Sequence, residues 1–502
     1  MMHSAVVVST SYSEVSTREV RTMGSDRHKN FTSVSGFQVI SNEVLTIWDI
    51  KVSAGDTLIL DNVTLFSHQI VVESGGNMTV KRSRIHISEG GYIEFRNGSS
   101  ILIEHSEIHG FDVMRIETDN ATIHHSMINS TREGIHIASC KYVRITDCVF
   151  LGAGIFVGYS HDNIIANNTI NGAPLLYLES TSDLLVDDAG QVILVDCVNI
   201  TISNLVIRNA YVGVEIWRSN SSEISNNNIV GCELGIYIYA ACNVCVENND
   251  IYDGTNGVIV RESKNITISG NTILNCSCCL ELSYSGNVTV VYNHMEGKKY
   301  GLYITDIYDT LVVSNNGFTG CGMFIYPGSW ASYCVFEYYY TVVNNTVNGR
   351  PLVFLTGIKN VAINDAGQVV LLSTQNISIE GINASWSTVG VEILMSSNIT
   401  IGDVLLGNEI YGIYVFGSSN ISIFENTITD NEYCIYCWDT EDSMVLNNTV
   451  YRSDVGILIY SGSHNDVSSN MIRNCTYAVT VEYSHNNTIS SNEIVDCQYA
   501  VT

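Results

Sequence analysis

Apolar and polar residues alternate along this chain in short bursts, as in Ile266-Thr-Ile268 and Ile421-Ser-Ile423. Alternation with a period of two turns one face of a strand inward and the other outward. The bursts are regularly spaced. Gly213-Val-Glu-Ile, Gly235-Ile-Tyr-Ile, Gly257-Val-Ile-Val, Cys279-Leu-Glu-Leu and Gly301-Leu-Tyr-Ile start at steps of 22 residues, and Gly390, Gly412, Cys434, Gly456, Ala478 and Ala500 take up the step again. A second marker follows 14 residues into each unit: Asn227, Asn249, Asn271, Asn293 and Asn315, later Asn426, Asn448, Asn470 and Asn492.

Short strands, a fixed period and identical polar residues at turns predict an all-β solenoid, a single-stranded parallel β-helix with a 22-residue coil. The Asn ladder implies about 18 coils stacked ~4.8 Å apart. Each Asn is expected to do two jobs at a corner: to bond the coils above and below through its amide, and to tolerate the left-handed backbone of a sharp bend. Leucine-rich repeats would need Leu at helical spacings, and a propeller would need blades of ~40 residues; neither pattern is present.

A longer repeat overlies the short one. Asn168-Thr-Ile-Asn-Gly-Ala-Pro-Leu matches Asn345-Thr-Val-Asn-Gly-Arg-Pro-Leu, and Asp188-Ala-Gly-Gln-Val matches Asp365-Ala-Gly-Gln-Val, both at an offset of 177 residues. Each copy opens with an enlarged coil, and a further wide coil holds Pro327-Gly-Ser-Trp330. Upstream, Val80-Lys-Arg-Ser83, Ile103-Glu-His-Ser106, Ile123-His-His-Ser126 and Ile145-Thr-Asp-Cys148 read as looser coils with Ser or Cys at the Asn position. The expected organisation is a cap or extended arm over 1–44, N-terminal coils over 45–167, a first copy over 168–344 and an incomplete second copy over 345–502.

Composition narrows the function classes. Lys and Arg number 23 against 51 Asp and Glu, a formal charge of −28, which argues against nucleic acid as a partner because phosphate binding requires cations. Only 15% of residues are charged, while 45% are hydrophobic; the surface is therefore polar and largely uncharged, and the chain is not an acidic disordered one. No apolar run reaches the ~18 residues of a membrane span, and Ala5 to Val8 is too short for a signal-peptide core, so a secreted form would have lost its leader already. Fifteen Cys, an odd number, leave at least one thiol outside any intramolecular disulfide.

The Gly-φ-x-φ, Asn-φ-x-φ and Asn-Asn-x-Ile pattern (φ apolar) resembles the right-handed β-helix repeats of the NosD-type family and of secreted carbohydrate-active β-helix proteins. Asn-Gly-x-Pro-Leu followed by Asp-Ala-Gly-Gln-Val is similar to an element of archaeal cell-surface β-helix proteins. The resemblance spans about residues 45–502 and implies a right-handed coil. NosD itself is a periplasmic copper-maturation factor, and this sequence is not rich enough in Met or His to imply copper handling.

Candidate chemistry is sparse. Asp187-Asp188 could pair carboxylates for glycoside hydrolysis, but its counterpart is Asn364-Asp365, and Asp-Ala-Gly is an ordinary turn. Six of 13 His fall between His86 and His136. The repeat register puts His105, His125 and Asp147 in one column, which could hold a metal, with His86 and His109 in a second and Glu104 and His124 in a third; a solvated polar ladder would look the same. Cys242-Asn-Val-Cys245 and Cys434-Ile-Tyr-Cys437 are CxxC pairs whose simpler reading is core packing, with one Cys of each pair inward. Cys475 and Cys497, one coil apart, are within reach of a disulfide. Trp330, Tyr333, Tyr338, Tyr339 and Tyr340 could stack on sugars or on a neighbouring subunit. Sequons at Asn30, Asn62, Asn97, Asn120, Asn220, Asn287, Asn398 and Asn486 are glycosylation candidates, although a corner Asn followed by Ile-Thr makes a sequon automatically.

These features lead to the expectation of a structural or adhesive protein of the cell exterior that self-associates head-to-tail, with Ala5 to Val15 as a strand donated to a neighbour. The competing expectation is a β-helix protein that binds or processes surface polysaccharide. No cofactor is expected unless it is calcium, which an acidic surface would attract.

Overall fold

The computed structural model describes residues 5–8, 17–20, 31–328 and 339–502. Every regular element in it is a β-strand, and nearly all pairings are parallel. The chain divides into two compact units, Met1–Cys242 and Asn243–Thr502. Each is a right-handed parallel β-solenoid, and together they carry about 21 coils where about 18 were expected. The difference arises from an earlier start, with Phe31–Val34 already paired, and from the enlarged coils, each of which adds a parallel pairing at a 16-residue step, Leu175 with Gln191 and Leu352 with Gln368.

In the first unit, each coil contributes three short strands separated by three corners. Thr122–His124, Met127–Asn129 and Gly134–Ala138 form one coil; Arg144–Thr146, Val149–Leu151 and Ile155–Gly158 form the next, in register above it. Inward Ile, Val and Leu stack into ladders: Ile103, Ile123 and Ile145 are each no more than 2% exposed. The Ser residues at the Asn position form a hydroxyl ladder. Val63 N–H donates to Ser83 Oγ, Ser83 N–H to Ser106 Oγ and Ser106 N–H to Ser126 Oγ, at separations of 20, 23 and 20 residues. The coils begin earlier than residue 45, because Phe31–Val34 already pairs in parallel with Asp49–Val52. Ala5–Val8 pairs antiparallel with Thr17–Val20 and meets Phe37–Ser41 at Val8 and Val39. Of the segment expected to reach a neighbour, Ala5–Val8 is paired within its own chain, and residues 9–15 lie outside the described residues.

The second unit repeats the scheme with a more regular step. Val391, Ile413, Ile435, Ile457 and Val479 stack in one inward column, all fully buried. The Gly marker is explained by crowding: a Cβ on Gly412 would lie 2.6 Å from the Cys434 carbonyl oxygen of the next coil. The Asn marker is a buried ladder in two runs, Asn249 to Asn345 and Asn426 to Asn492, with Val404 at the marker position just before the second run. Asn271 N–H donates to Asn293 Oδ1, Asn293 N–H to Asn316 Oδ1 and Asn316 N–H to Asn345 Oδ1, while each Nδ2 reaches a strand carbonyl. Here the ladder uses Asn316, not Asn315. The two jobs assigned to one Asn are divided between neighbours: Asn248, Asn315 and Asn447 take the left-handed corner, and the next residue, Asn249, Asn316 or Asn448, makes the ladder.

The enlarged coils interrupt this stacking, and buried side chains repair it. Ile155–Gly158 has a strand partner on one side. On its other side Ile155 N–H donates to Gln191 Oε1, Gln191 Nε2 donates back to the Ile155 carbonyl, and Val157 N–H donates to Glu215. In the second unit Met323 exchanges the same pair of bonds with Gln368, and Ile325 N–H donates to Glu392. Gln191 and Gln368 are the Gln of the duplicated Asp-Ala-Gly-Gln-Val element. That element was read as a turn; its Asp187 and Asp188 are indeed exposed, but its Gln acts as a substitute strand edge.

Glu215 and Glu392 are wholly buried with no countercharge, and burial holds both carboxyls well above the usual range. A raised folded-state value means the folded chain keeps a proton that the unfolded chain releases. Stability from these groups is complete below the unfolded carboxyl value of ~4.3 and falls as pH rises above it, by roughly 1.4 kcal/mol per pH unit and per carboxyl until the folded value is reached. Gln mimics the protonated acid. The double substitution Glu215→Gln, Glu392→Gln should therefore gain thermal midpoint over the parent progressively from pH 4.5 to 7, measured by calorimetry; an advantage that does not grow with pH would contradict neutral burial.

Candidate functional site

The positions flanking the inward ladders point outward and are free of the packing constraint. In the second unit they carry a network of aromatic rings on a single sheet. Tyr414 and Tyr436 occupy the outward position of Gly412-Ile-Tyr-Val and Cys434-Ile-Tyr-Cys, one coil apart, with ring centroids 5.5 Å from each other. Tyr411 stacks on Tyr433 at 5.4 Å, and Phe416 meets Trp438 edge-on at 4.9 Å. Trp438 continues to Tyr460 at 6.0 Å, and Tyr460 to Tyr483 at 5.2 Å. Phe324, on the strand repaired by Gln368 and Glu392, packs against Tyr411 and Tyr414 at 5.4 Å each; Tyr300 and Tyr303 join beside it. The rings beneath are buried, Tyr414 at 1% exposure, whereas Tyr433, Tyr436, Trp438 and Tyr460 are half-exposed and Tyr483 is exposed. Burial pushes the Tyr436 and Tyr300 phenols up to about 12, so they remain neutral hydrogen-bonding groups. This face was missed in the sequence, although Tyr at the third position of the Gly-φ-x-φ motif was its signal.

Of the aromatic candidates read from sequence, Trp330, Tyr333 and Tyr338 lie outside the described residues. Tyr339 is 74% exposed, while Tyr340 is buried against Phe354 at a ring separation of 6.4 Å. Tyr340 is thus a packing residue of the wide coil, not a free platform.

The first unit bears two polar clusters. His161 Nδ1 lies 2.9 Å from Asp162, and these two converge with Glu179. Glu179 is already engaged: it accepts the amides of Asp162 and Asn163 and the Tyr177 hydroxyl, the last at 2.6 Å. At the equivalent positions, 177 residues on, stand Phe354 and Thr356, so the fold itself does not require this clamp. The second cluster is histidine. His105 and His125 share a corner column, as predicted, with rings 4.9 Å apart. Asp147 continues that column but accepts the Asn167 amide at 3.2 Å; the third group brought to the pair is His124, with Nδ1 3.0 Å from His125 Nδ1. The other two columns are as expected: Glu104 faces His124 at 3.2 Å, and His86 stacks on His109 at 5.2 Å.

The thiol candidates resolve toward packing. Cys434, Cys437, Cys475 and Cys497 are free thiols. Both Cys434 and Cys437 are buried, where one of the two was expected inside, and burial pushes each thiol up to about 12. Cys475 and Cys497 stack one coil apart without a disulfide; the Cys475 amide donates to Cys497 Sγ at 3.4 Å.

The chain matches the family of periplasmic copper-binding protein NosD over residues 179–323 and 343–502, and the right-handed β-helix region over residues 30–170. It belongs to the NosD family. Among the described residues, no three His, Cys, Asp or Glu converge wholly within the NosD-matched stretches. No curated protein matches the chain. Similar solved structures include the PL6 family alginate lyase AlyGC (10% identity over 94% of this chain and 100% of that one, TM-score 0.28). They also include a double-mutant periplasmic alginate epimerase AlgG (13%, 62% and 85%, TM-score 0.28) and the Streptococcus pneumoniae surface protein and adhesin PfbA (11%, 87% and 92%, TM-score 0.18). At these identities the likeness is one of fold.

The sequons fall into two geometric classes. Asn62 and Asn287 belong to surface amide ladders, each donating Nδ2 to the Asn of the preceding coil, at 2.8 and 3.0 Å; Asn398 accepts from Asn420, and Asn220 accepts the Cys242 amide. Asn97, Asn120 and Asn486 are exposed at turns, and Asn30 lies outside the described residues. A glycan replaces one of the two Nδ2 hydrogens and sets a sugar against the adjacent coil, where the ladder leaves no room for it. Expression in an N-glycosylating host followed by glycopeptide mapping should find Asn97 occupied and Asn287 bare; the reverse would contradict the ladder's role.

Proposed function

We propose that this protein acts outside the cytoplasm as a polysaccharide-binding β-helix protein, its binding surface being the aromatic sheet of the second unit. The observation that carries this reading is the half-exposed ring network from Tyr433 through Trp438 and Tyr460 to Tyr483. The β-solenoid does not need aromatic residues at these outward positions, since Leu458 and Thr480 occupy equivalent ones. A sugar ring has an apolar C–H face and a polar rim, and Tyr and Trp offer the matching surface, apolar in the body and hydrogen-bonding at the tip. Rings repeated on successive coils provide a row of such contacts, suited to a polymer rather than a single sugar. The formal charge of −28 opposes polyanions, which favours a neutral polysaccharide. The self-assembling filament has less support, because Ala5–Val8, the described part of the strand suggested for exchange, pairs within its own chain.

Affinity electrophoresis through gels containing neutral glucans, mannans or xylans, with alginate as the anionic comparison, tests this. Retardation by a neutral polymer is expected. It should weaken about tenfold in a Tyr433→Ala, Trp438→Ala chain, on the basis of ~0.5–1.5 kcal/mol per ring, with the thermal midpoint close to the parent's. Absence of retardation by every polymer, or retardation unchanged by the substitutions, would reject the proposal.

A further inference from the structure

We infer that His105, His124 and His125 form a binding site for a divalent transition-metal cation in the first unit. The site lies within the residues matched to the general β-helix region, apart from the stretches matched to the copper-binding family. It is independent of the aromatic face proposed above.

The backbone builds the site. His105 and His125 occupy left-handed corners with φ of 48° in successive coils. Asn42, Asn62 and Asn167 take equivalent corners, and Asn suits this conformation best among residues with a side chain. Arg82 and Asp147 fill the corners on either side, so the position accepts several polar types, and the fold allows two consecutive His there without requiring them. His124 ends the strand Thr122–His124 immediately before the second corner, and its ring turns toward it: the ring centroids of His124 lie 5.3 Å from His125 and 5.8 Å from His105. One ligand nitrogen from each of the three residues lies within 4.8 Å of the others.

The neighbours of His124 show which nitrogen faces the site. Glu104 Oε2 is 3.2 Å from His124 Nε2 and is itself held by Lys81 at 2.8 Å. With the Glu104 carboxylate beside Nε2, Nδ1 is the nitrogen turned toward the cluster, 3.0 Å from His125 Nδ1. Two nitrogens so close need either a proton or a cation between them. Two imidazole nitrogens bound to one tetrahedral ion at ~2.0–2.1 Å stand about 3.3 Å apart, so the pair is near ligand spacing already. The exposed His105 completes the set by rotating its side chain. Glu104, His124 and the ion would form a carboxylate–histidine–metal relay, the usual means of orienting such a ligand. Imidazoles favour zinc, nickel, copper and cobalt over calcium or magnesium, and three protein ligands leave a coordination position open to water or to an exogenous ligand.

The test uses the full chain without an affinity tag and Co2+ as the probe, by calorimetry and visible absorption. One ion per chain is expected, with d–d bands and no thiolate-to-cobalt charge-transfer band. His105→Asn, His125→Asn retains the residue type that fills these corners elsewhere, so the fold should survive, as an unchanged thermal midpoint would show; the affinity should drop at least about 100-fold. Glu104→Gln should weaken binding by about 10–100-fold, and His161→Ala should leave it unchanged. Absence of stoichiometric Co2+ binding, a thiolate band, or parent-like affinity in the double His variant would overturn the assignment. Parent-like affinity of the Glu104→Gln chain would overturn the orienting role of Glu104.

Discussion

A parallel solenoid exists only if each strand edge finds a partner in the coil above and the coil below. An unpaired N–H or C=O inside the stack has no water to turn to and costs ~1–3 kcal/mol. Most of this chain meets the demand by repetition, since each coil is the template for the next. The enlarged coils cannot, because their strands step sideways. There Gln191 and Glu215 in the first unit, and Gln368 and Glu392 in the second, supply the missing donors and acceptors from side chains. The aromatic rings follow from this repair. Phe156 with Tyr211 and Tyr237 stands over one repaired edge, and Phe324 with Tyr411 and Tyr414 over the other. Such rings exclude water from a buried carboxyl and at the same time begin the outward face that the second unit extends to Tyr483.

The inward half of the structure was legible in the sequence because the stacking constraint acts there. A Gly that must clear the next coil's carbonyl, an Asn that must bond above and below, and Ile or Val in the ladders all recur at the coil period. What the period does not constrain was harder to read. The Asn ladder was placed one residue early at Asn315, since two adjacent Asn share the corner and only geometry shows which turns inward. Gln191 and Gln368 were visible as duplicated residues, but a side chain acting as a strand edge leaves no periodic trace. The column of His105, His125 and Asp147 was legible because corners repeat; the approach of His124 to the two rings depends on ring orientation at a strand end, which spacing does not encode.

The outward surface separates into regions with different chemistry. The first unit carries the histidine corner and the Glu179 clamp, and the second the aromatic face. Membership in the NosD family accounts for the coil and its ladders, not for these surface groups: the three converging histidines lie outside the NosD-matched stretches. Function in such a solenoid is written on positions that the core leaves free, so relatives with the same coil can differ wholly in what they bind.

The most direct measurement is amide hydrogen exchange at the two repaired edges. If side chains replace a missing strand, the amides of Ile155, Val157, Met323 and Ile325 should exchange as slowly as those of regularly paired strands such as Gly134–Ala138. Gln191→Ala and Gln368→Ala should release Ile155 and Met323 selectively, leaving distant coils protected. Fast exchange at these amides in the parent chain, or protection unchanged by the substitutions, would contradict the account.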